Sequence, residues 1–300
     1  MMRPATSVEM KMLDLKIDDL IDGRVGTHDI PCPVCDPYRR QANQRRRTLR
    51  IWRQPDGFAT YRCVHCEIKG YQLAPGARLT RSEIETASRR HELRRSEEIE
   101  RSREVARALW ARRRPIRGTI AEVYLRECRG YSGALPSTLG YLAARDEYPP
   151  AMIAAFGVAR ETEPGTIATD DAAVVGVHLT RLRPDGLGKA DGEAAKITIG
   201  REHTGPIMLH APNDLLGLIV AEGIEDGLSA HEALGMGAWA AGCASRLPRL
   251  AEHVPHYIEV VTVLVDIDRD GTGERHAGEL AARLDQRGIE VRLVPLGAAE

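Results

Sequence analysis

Apolar and polar positions change register several times along this chain. In residues 1–24, Met12, Leu13, Ile17, Leu20 and Ile21 are spaced for one helix face and predict a short lead-in helix. Residues 28–71 lose that period and fill with turn signals. Within them Thr48 to Trp52 and Ala59 to Arg62 flank Pro55-Asp56-Gly57, which predicts a β-hairpin. From Ser82 to about Arg114 the helical pattern returns, opening on a Ser82 to Glu85 capping box and stopping before Pro115. Its apolar positions are sparse, so a mostly exposed connector is expected. A further helix is predicted around Ile120 to Cys128.

Beyond residue 172 the pattern is that of strands. Ala173 to Leu179, Lys196 to Ile199 and Ile207 to Leu209 come first. Leu218-Ile219-Val220-Ala221 is a short apolar run ending in Glu222-Gly223, and the segment after it predicts a helix that stops at Gly235. Ala238-Trp239-Ala240 reads as a strand and Leu247 to His253 as a helix. Val260 to Val265 reads as a fully buried strand, and a helix follows with Ala277, Leu280, Ala281 and Leu284 on one face. Glu290 to Val294 supplies a last strand. Strands alternating with helices imply a parallel sheet covered on both sides, with chemistry at the carboxyl ends of its strands.

Composition adds two constraints. At 300 residues the chain is long enough for two modules with their own cores. No run of about 18 apolar residues exists, and Met1 to Leu20 is too charged for a signal peptide, so no membrane association and a cytoplasmic location are expected. The formal net charge of −1 hides an asymmetry: residues 1–118 hold 26 Lys/Arg against 16 Asp/Glu, and residues 119–300 hold 16 against 27. A basic half collects polyanions and an acidic half concentrates divalent cations; a solvated charged helix beside an ordinary acidic domain is the competing explanation.

Cys32-Pro33-Val34-Cys35 and Cys63-Val64-His65-Cys66 are two C-x-x-C knuckles separated by 27 residues. Each knuckle turns two sulfurs toward one point, so the four thiolates suit one tetrahedral zinc. Disulfides or redox dithiols compete with zinc, but a cytosolic chain rarely keeps structural disulfides. His28 and His65 are alternative ligands for a shell that four cysteines already complete. Cys128 and Cys243 stand alone and are expected to be buried small residues. Between the knuckles lie Arg45, Arg46, Arg47, Arg50 and Trp52, in a stretch with further arginines and aromatics. Guanidinium groups interleaved with rings suit phosphate contact and base stacking on single strands, against the plainer alternative of a solvated hairpin.

The acidic half offers a second constellation. Glu222 ends one predicted strand, Asp266 and Asp268 end another, and Asp270 lies just beyond. Residues i and i+2 of an extended strand project to the same side, so Asp266 and Asp268 point together. If the two strands are neighbours, three carboxylates converge at one sheet edge, and a hard cation such as magnesium relieves their repulsion. An EF-hand reading of Asp266 to Gly271 fails because the twelfth position is Ala277 and the segment follows a strand.

These residues carry a resemblance. Glu222-Gly223-Ile224-Glu225-Asp226-Gly227-Leu228-Ser229 resembles the first, Glu-containing motif of Toprim domains, and Val265 to Gly271 resembles their D-x-D motif. About Ala195 through Pro295 is similar to the Toprim region of phage and plasmid primases, and the N-terminal knuckles resemble the zinc-binding domain of bacterial-type primases. RecR-type recombination mediators also combine zinc with Toprim, but the helix-hairpin-helix that precedes their zinc motif is not found here. The resemblance implies an α/β chain in which an N-terminal zinc ribbon is joined by a long basic helix to a C-terminal Toprim domain, its mostly parallel sheet lying between helices. The implied divisions are a zinc-ribbon nucleic-acid-binding domain over 1–75, a charged helical linker over 76–118, a mixed α/β part of the catalytic core over 119–206 and the Toprim domain over 207–300.

By position, the resemblance makes Glu222, Asp266 and Asp268 catalytic and, with Asp270, magnesium ligands, while Cys32, Cys35, Cys63 and Cys66 hold zinc. Asp226 supports the first motif, and Lys196 and Arg201 sit in a basic segment expected to meet nucleotide phosphates. The implied activity is primase: a nucleotidyltransferase making RNA primers on a single-stranded DNA template from ribonucleoside triphosphates. A Toprim nuclease and a non-catalytic DNA-binding adaptor are the alternatives. The only Gly-Lys pair, Gly188-Lys189, is followed by Ala190, so there is no P-loop and any helicase is a separate partner.

Overall fold

The structure is a computed structural model that describes residues 15–38, 44–66, 68–73, 81–157, 159–163, 166–191, 195–200, 205–213, 215–267 and 271–296. It divides into two compact units, Met1–His91 and Glu92–Glu300.

In the first unit four strands form an antiparallel sheet in sequence order: β1 (Gly26–Ile30), β2 (Leu49–Arg53), β3 (Ala59–Cys63) and β4 (Lys69–Gln72). β2 and β3 are the predicted hairpin. Its turn closes through Gln54 N–H to the Phe58 carbonyl (2.8 Å) and Gly57 N–H to the Gln54 carbonyl (3.1 Å). Gly57 sits at φ 87°, which a side chain would resist. The two-residue period buries Leu49, Ile51, Ala59, Tyr61 and Cys63 on one face. Helix α1 (Ile17–Ile21) covers that face with Ile17 and Ile21, both fully buried, each burial being worth about 1.5–3 kcal/mol. Gln72 fastens the helix to β4, accepting from Ile17 N–H at 2.6 Å and donating to Asp18 at 3.0 Å. Of the predicted lead-in, Met12 and Leu13 lie outside the described residues.

Helix α2 (Arg81–Ala111) is the expected long helix and ends before Pro115, but with eight Arg against seven Glu it is nearly balanced in charge. Its last turns are not an exposed connector. Ala106 and Trp110 are fully buried against Ile153, Val174 and Val177, and the Trp110 indole donates to Asp171 at 2.7 Å. The predicted helix around Ile120 to Cys128 is α-helical only over α3 (Ile120–Val123) and continues as a π-turn to Cys128.

The second unit holds two sheets. One is antiparallel, with β5 (Leu139–Leu142), β6 (Ala151–Phe156), β9 (Gly176–Arg181) and β10 (Lys196–Ile199) in the order β10-β9-β6-β5; a small hairpin, β7 (Arg160–Glu163) and β8 (Thr166–Ala168), lies between β6 and β9 in sequence. The other has five strands, β11 (Ile207–His210), β12 (Gly217–Ala221), β13 (Gly237–Ala240), β14 (Val260–Asp266) and β15 (Glu290–Leu296), in the order β11-β13-β12-β14-β15. β13, β12, β14 and β15 are mutually parallel, whereas β11 runs antiparallel to β13.

Strand alternation in the second sheet sorts its apolar residues into two cores. Ile219, Ala221, Ala238, Ala240 and Leu264 pack with Ile224 and Leu228 of α4 (Ile224–Leu234). Leu218, Val220, Trp239, Val261 and Val263 pack with Ala277, Leu280 and Leu284 of α5 (Thr272–Asp285). The helix predicted over Leu247 to His253 is a 3-10 helix, Ala244–Glu252, which contains Pro248 and joins the second core. Burial on both faces explains the unbroken apolar run of β12. α4 ends at Gly235, which adopts φ 70° as a left-handed cap.

Candidate metal and nucleotide sites

The four cysteines meet. Cys32 and Cys35 precede β2, while Cys63 ends β3, and a tight turn returns Cys66 to them. Their four sulfurs lie within 4.8 Å of one another, and they are the one such group of three or more candidate ligands among the described residues. The Cys32–Cys66 and Cys35–Cys63 sulfurs are each 3.8 Å apart. Zinc–sulfur bonds of about 2.3 Å at tetrahedral angles put sulfurs about 3.8 Å apart, so the donor set and its spacing fit zinc. Burial would raise the Cys63 thiol, but the backbone N–H groups of Cys66 and His65 and the Thr48 hydroxyl outweigh it and bring it to about 7. Burial pushes Cys35 and Cys66 up. Of the isolated thiols expected to be buried, Cys128 is exposed and Cys243 half-buried.

The outer face of the ribbon sheet is set by the same alternation that builds its core. Cross-strand pairing lines up Thr27, Trp52, Thr60 and Tyr71 in one row and Asp29, Arg50, Arg62 and Lys69 in the next. Trp52 and Tyr71 are 42% and 52% exposed, which leaves two ring faces open to solvent. Arg50 is held by Asp29 through two 2.7 Å bonds, and its guanidinium pulls the Asp29 carboxyl below the usual range. Arg45, Arg46 and Arg47 are exposed in the turn before β2. Tyr71 and Lys69 escaped the sequence reading because β4 has no clear strand signal: it is Lys-Gly-Tyr-Gln.

In the second unit, β12 and β14 are parallel neighbours, paired up to Val220 and Val263. Glu222 lies two residues past the first of these and Asp266 three past the second. Adjacent strands run about 4.8 Å apart, so both residues stand at the same carboxyl-terminal edge of the sheet. Asp268, Asp270 and Arg201 lie outside the described residues. The Glu222 carbonyl accepts from Gly242 N–H at 2.9 Å, tying the end of β12 to the end of β13. The Asp226 carboxylate folds back over Gly223 at the start of α4, where a Cβ would collide with it.

Beside this edge lies a charged network that only the fold brings together. Glu225, on the first turn of α4, is bonded to Lys189 Nζ at 2.9 Å and accepts from the Tyr124 hydroxyl at 2.6 Å. Arg129 Nε in turn donates to the Tyr124 oxygen at 2.9 Å. Burial would raise the Glu225 carboxyl, but the Lys189 ammonium and the Tyr124 hydroxyl overcome it and hold it down to about 2. Burial, with the Glu225 charge, pushes Tyr124 up. His178, on β9, is buried and bonded to Thr198 at 3.2 Å; burial and the nearby Lys196 lower it to about 4, with Arg246 and Lys189 adding to the effect against Glu225. Arg246 lies 4.1 Å over the Phe156 ring, and burial lowers it to about 10. Lys189, Lys196 and Arg246 therefore form a cationic set around His178 and Glu225, next to the strand ends that carry Glu222 and Gly242. Only Lys196 was singled out from sequence; Lys189 and Glu225 are far apart in the chain and only the fold pairs them.

Among the described residues no helix is long and apolar enough to cross a membrane. No curated protein matches the chain. Residues 100–209 match a domain of unknown function, DUF7146. Of solved structures, the Aquifex aeolicus primase with its zinc-binding and RNA polymerase domains is similar at 12% identity, over 96% of this chain and 78% of that one, with a TM-score of 0.37. The DnaG primase catalytic domain bound to ssDNA is similar at 15% identity, over 69% and 76%, with a TM-score of 0.41. A DNA primase domain from Pseudomonas aeruginosa is similar at 12% identity over 58% of this chain, with a TM-score of 0.34, and the match spans about half (51%) of that chain. Residues 217–300 match the Toprim domain family, and they hold the four parallel strands of the second sheet with α4 packed in one core and α5 in the other.

Proposed function

We propose that this chain synthesises RNA primers on single-stranded DNA from ribonucleoside triphosphates, as a primase of the phage and plasmid kind. The observation that carries the reading is the pair of carboxylates, Glu222 and Asp266, at the ends of adjacent parallel strands of a Toprim domain. Their oxygen donors suit a hard cation and not a soft one. Glu222 and Asp266, joined by Asp268 and Asp270, would hold magnesium, which when bound supplies charge stabilisation at the phosphoryl oxygens of the triphosphate.

The chain's own side chains do the rest of the positioning. Lys196 is exposed on β10 and lies close enough to Glu225 to act on its charge, so its ammonium is available to a phosphate beside the carboxylate edge. Lys189 is oriented by Glu225, which Tyr124 and Arg129 fix in turn. Preset charges of this kind lower the barrier because they need no reorganisation when charge develops. On the ribbon, Trp52 and Tyr71 offer stacking faces for template bases and Arg62 and Lys69 meet phosphates.

A primer assay with zinc-loaded protein, single-stranded DNA, ribonucleotides and magnesium tests this. Wild-type chain yields short RNA; Glu222→Gln and Asp268→Ala lose product at least about 100-fold while still binding template. No product from the wild type, or undiminished product from either variant, removes the reading. Cutting of DNA without added nucleotides replaces it with a nuclease.

A further inference from the structure

Just past the last turn of α2 the chain reads Arg112-Arg113-Arg114-Pro115-Ile116-Arg117. Pro115 forbids further helix, and Arg114 turns to pair with Tyr141 at the edge of the antiparallel sheet, its N–H donating at 2.8 Å and its carbonyl accepting at 2.9 Å. This segment and the loop at residues 135–139 wall a cleft of about 440 Å³. Buried Ile116 and Leu139, with half-buried Leu135, make an apolar floor.

The rim is cationic and only partly neutralised. Arg113 is committed, stacked 3.8 Å over Trp110 and paired with Asp171 at 3.1 Å. Arg114 and Arg117 are exposed, and neither guanidinium meets a carboxylate among the described residues. The negative end of the α2 macrodipole accounts for cations at Arg112 and Arg113, but not for Arg117, which lies a full loop beyond it. Like charges held together over an apolar floor repel unless a counter-charge arrives.

We propose that this cleft binds a nucleotide unit of single-stranded nucleic acid, with the phosphodiester on Arg114 and Arg117 and the base or sugar against Ile116, Leu135 and Leu139. A free inorganic anion would leave the apolar floor bare, and a strand passing through the open groove satisfies both surfaces at once. The cleft shares no residue with the Glu222 and Asp266 edge or with the ribbon. The inference goes beyond primer synthesis and holds equally for a nuclease or an adaptor.

The test is a salt titration of binding between zinc-loaded full-length chain and a fluorescent oligothymidylate. Two phosphate contacts at about 0.7 counterions each make the double variant Arg114→Gln/Arg117→Gln lose about 1.4 from the slope of log K against log salt, with about tenfold weaker binding near physiological salt. Leu135→Ser weakens binding with the slope retained, and Arg112→Gln, outside the cleft, changes neither. An unchanged slope in a double variant that melts like the wild type overturns the proposal. If the double variant melts early, Arg117→Gln alone is read, with an expected loss of about 0.7. ATP displacing the oligothymidylate from wild type but not from the double variant also overturns it, since the cleft is then a mononucleotide site. Primer synthesis is measured on the same preparations: absent product together with the expected slope change removes the polymerase reading and leaves the cleft standing.

Discussion

Glu225 keeps its charge in a place where only a tenth of its side chain sees water, because Lys189 sits 2.9 Å away. Removing one member of a buried pair strands the other, so Lys189→Met should cost about 3 kcal/mol in urea unfolding. Lys189→Met/Glu225→Leu should recover part of that loss. The carboxyl ionises near 2 in the folded chain against 4.5 unperturbed. A depressed carboxylate stabilises the fold fully above the unperturbed value and loses that contribution as pH falls through the folded one. Stability of the wild type should therefore decline between about pH 4.5 and 2, and Lys189→Met should flatten this part of the acid limb; an unchanged limb would count against the pair as its source. None of this could be read from sequence. Glu225 stands inside a recognisable motif, but its partner comes from a hairpin whose turn depends on Gly186, at φ 73° and packed against α3, and nothing in either segment announces the meeting.

Elements differed in how much of themselves they displayed. β12, β14, α4 and α5 were legible because burial on two faces writes unbroken apolar runs, and because Gly235 marks a helix stop in the sequence itself. β6 was not, since Ala-Met-Ile-Ala-Ala-Phe is fully buried yet made largely of alanine, which carries little strand preference. The antiparallel sense of β11 also escaped, because direction within a sheet is decided by tertiary pairing and not by period. The ribbon was legible through its cysteines more than its strands. With so small a core, metal is expected to hold it: isolated chain should contain one zinc, and chelation should speed amide exchange in β2 and β3 while β12 and β14 stay protected. Protection in β2 and β3 that survives complete zinc removal would show that the hairpin stands without metal.

At the scale of the molecule, residues 100–209 and 217–300 match separate families, yet the strand pairing crosses between them. β11 lies almost wholly in the first match and forms the rim of the sheet formed by the second, hydrogen-bonded along β13. Ile207 and Leu209 are fully buried there, and all four residues of β13 are buried. A recombinant fragment starting at Gly217 would bare the backbone of β13 together with the apolar surface that β11 covers, and such a naked rim invites stacking of one copy on the next. It should come out of expression insoluble or as multimers on size exclusion, whereas a fragment starting at Glu92 should elute as a discrete, well-behaved species. Anyone dissecting this protein by homology boundaries alone would cut through a continuous ladder, and would mistake the resulting precipitate for an unstable protein.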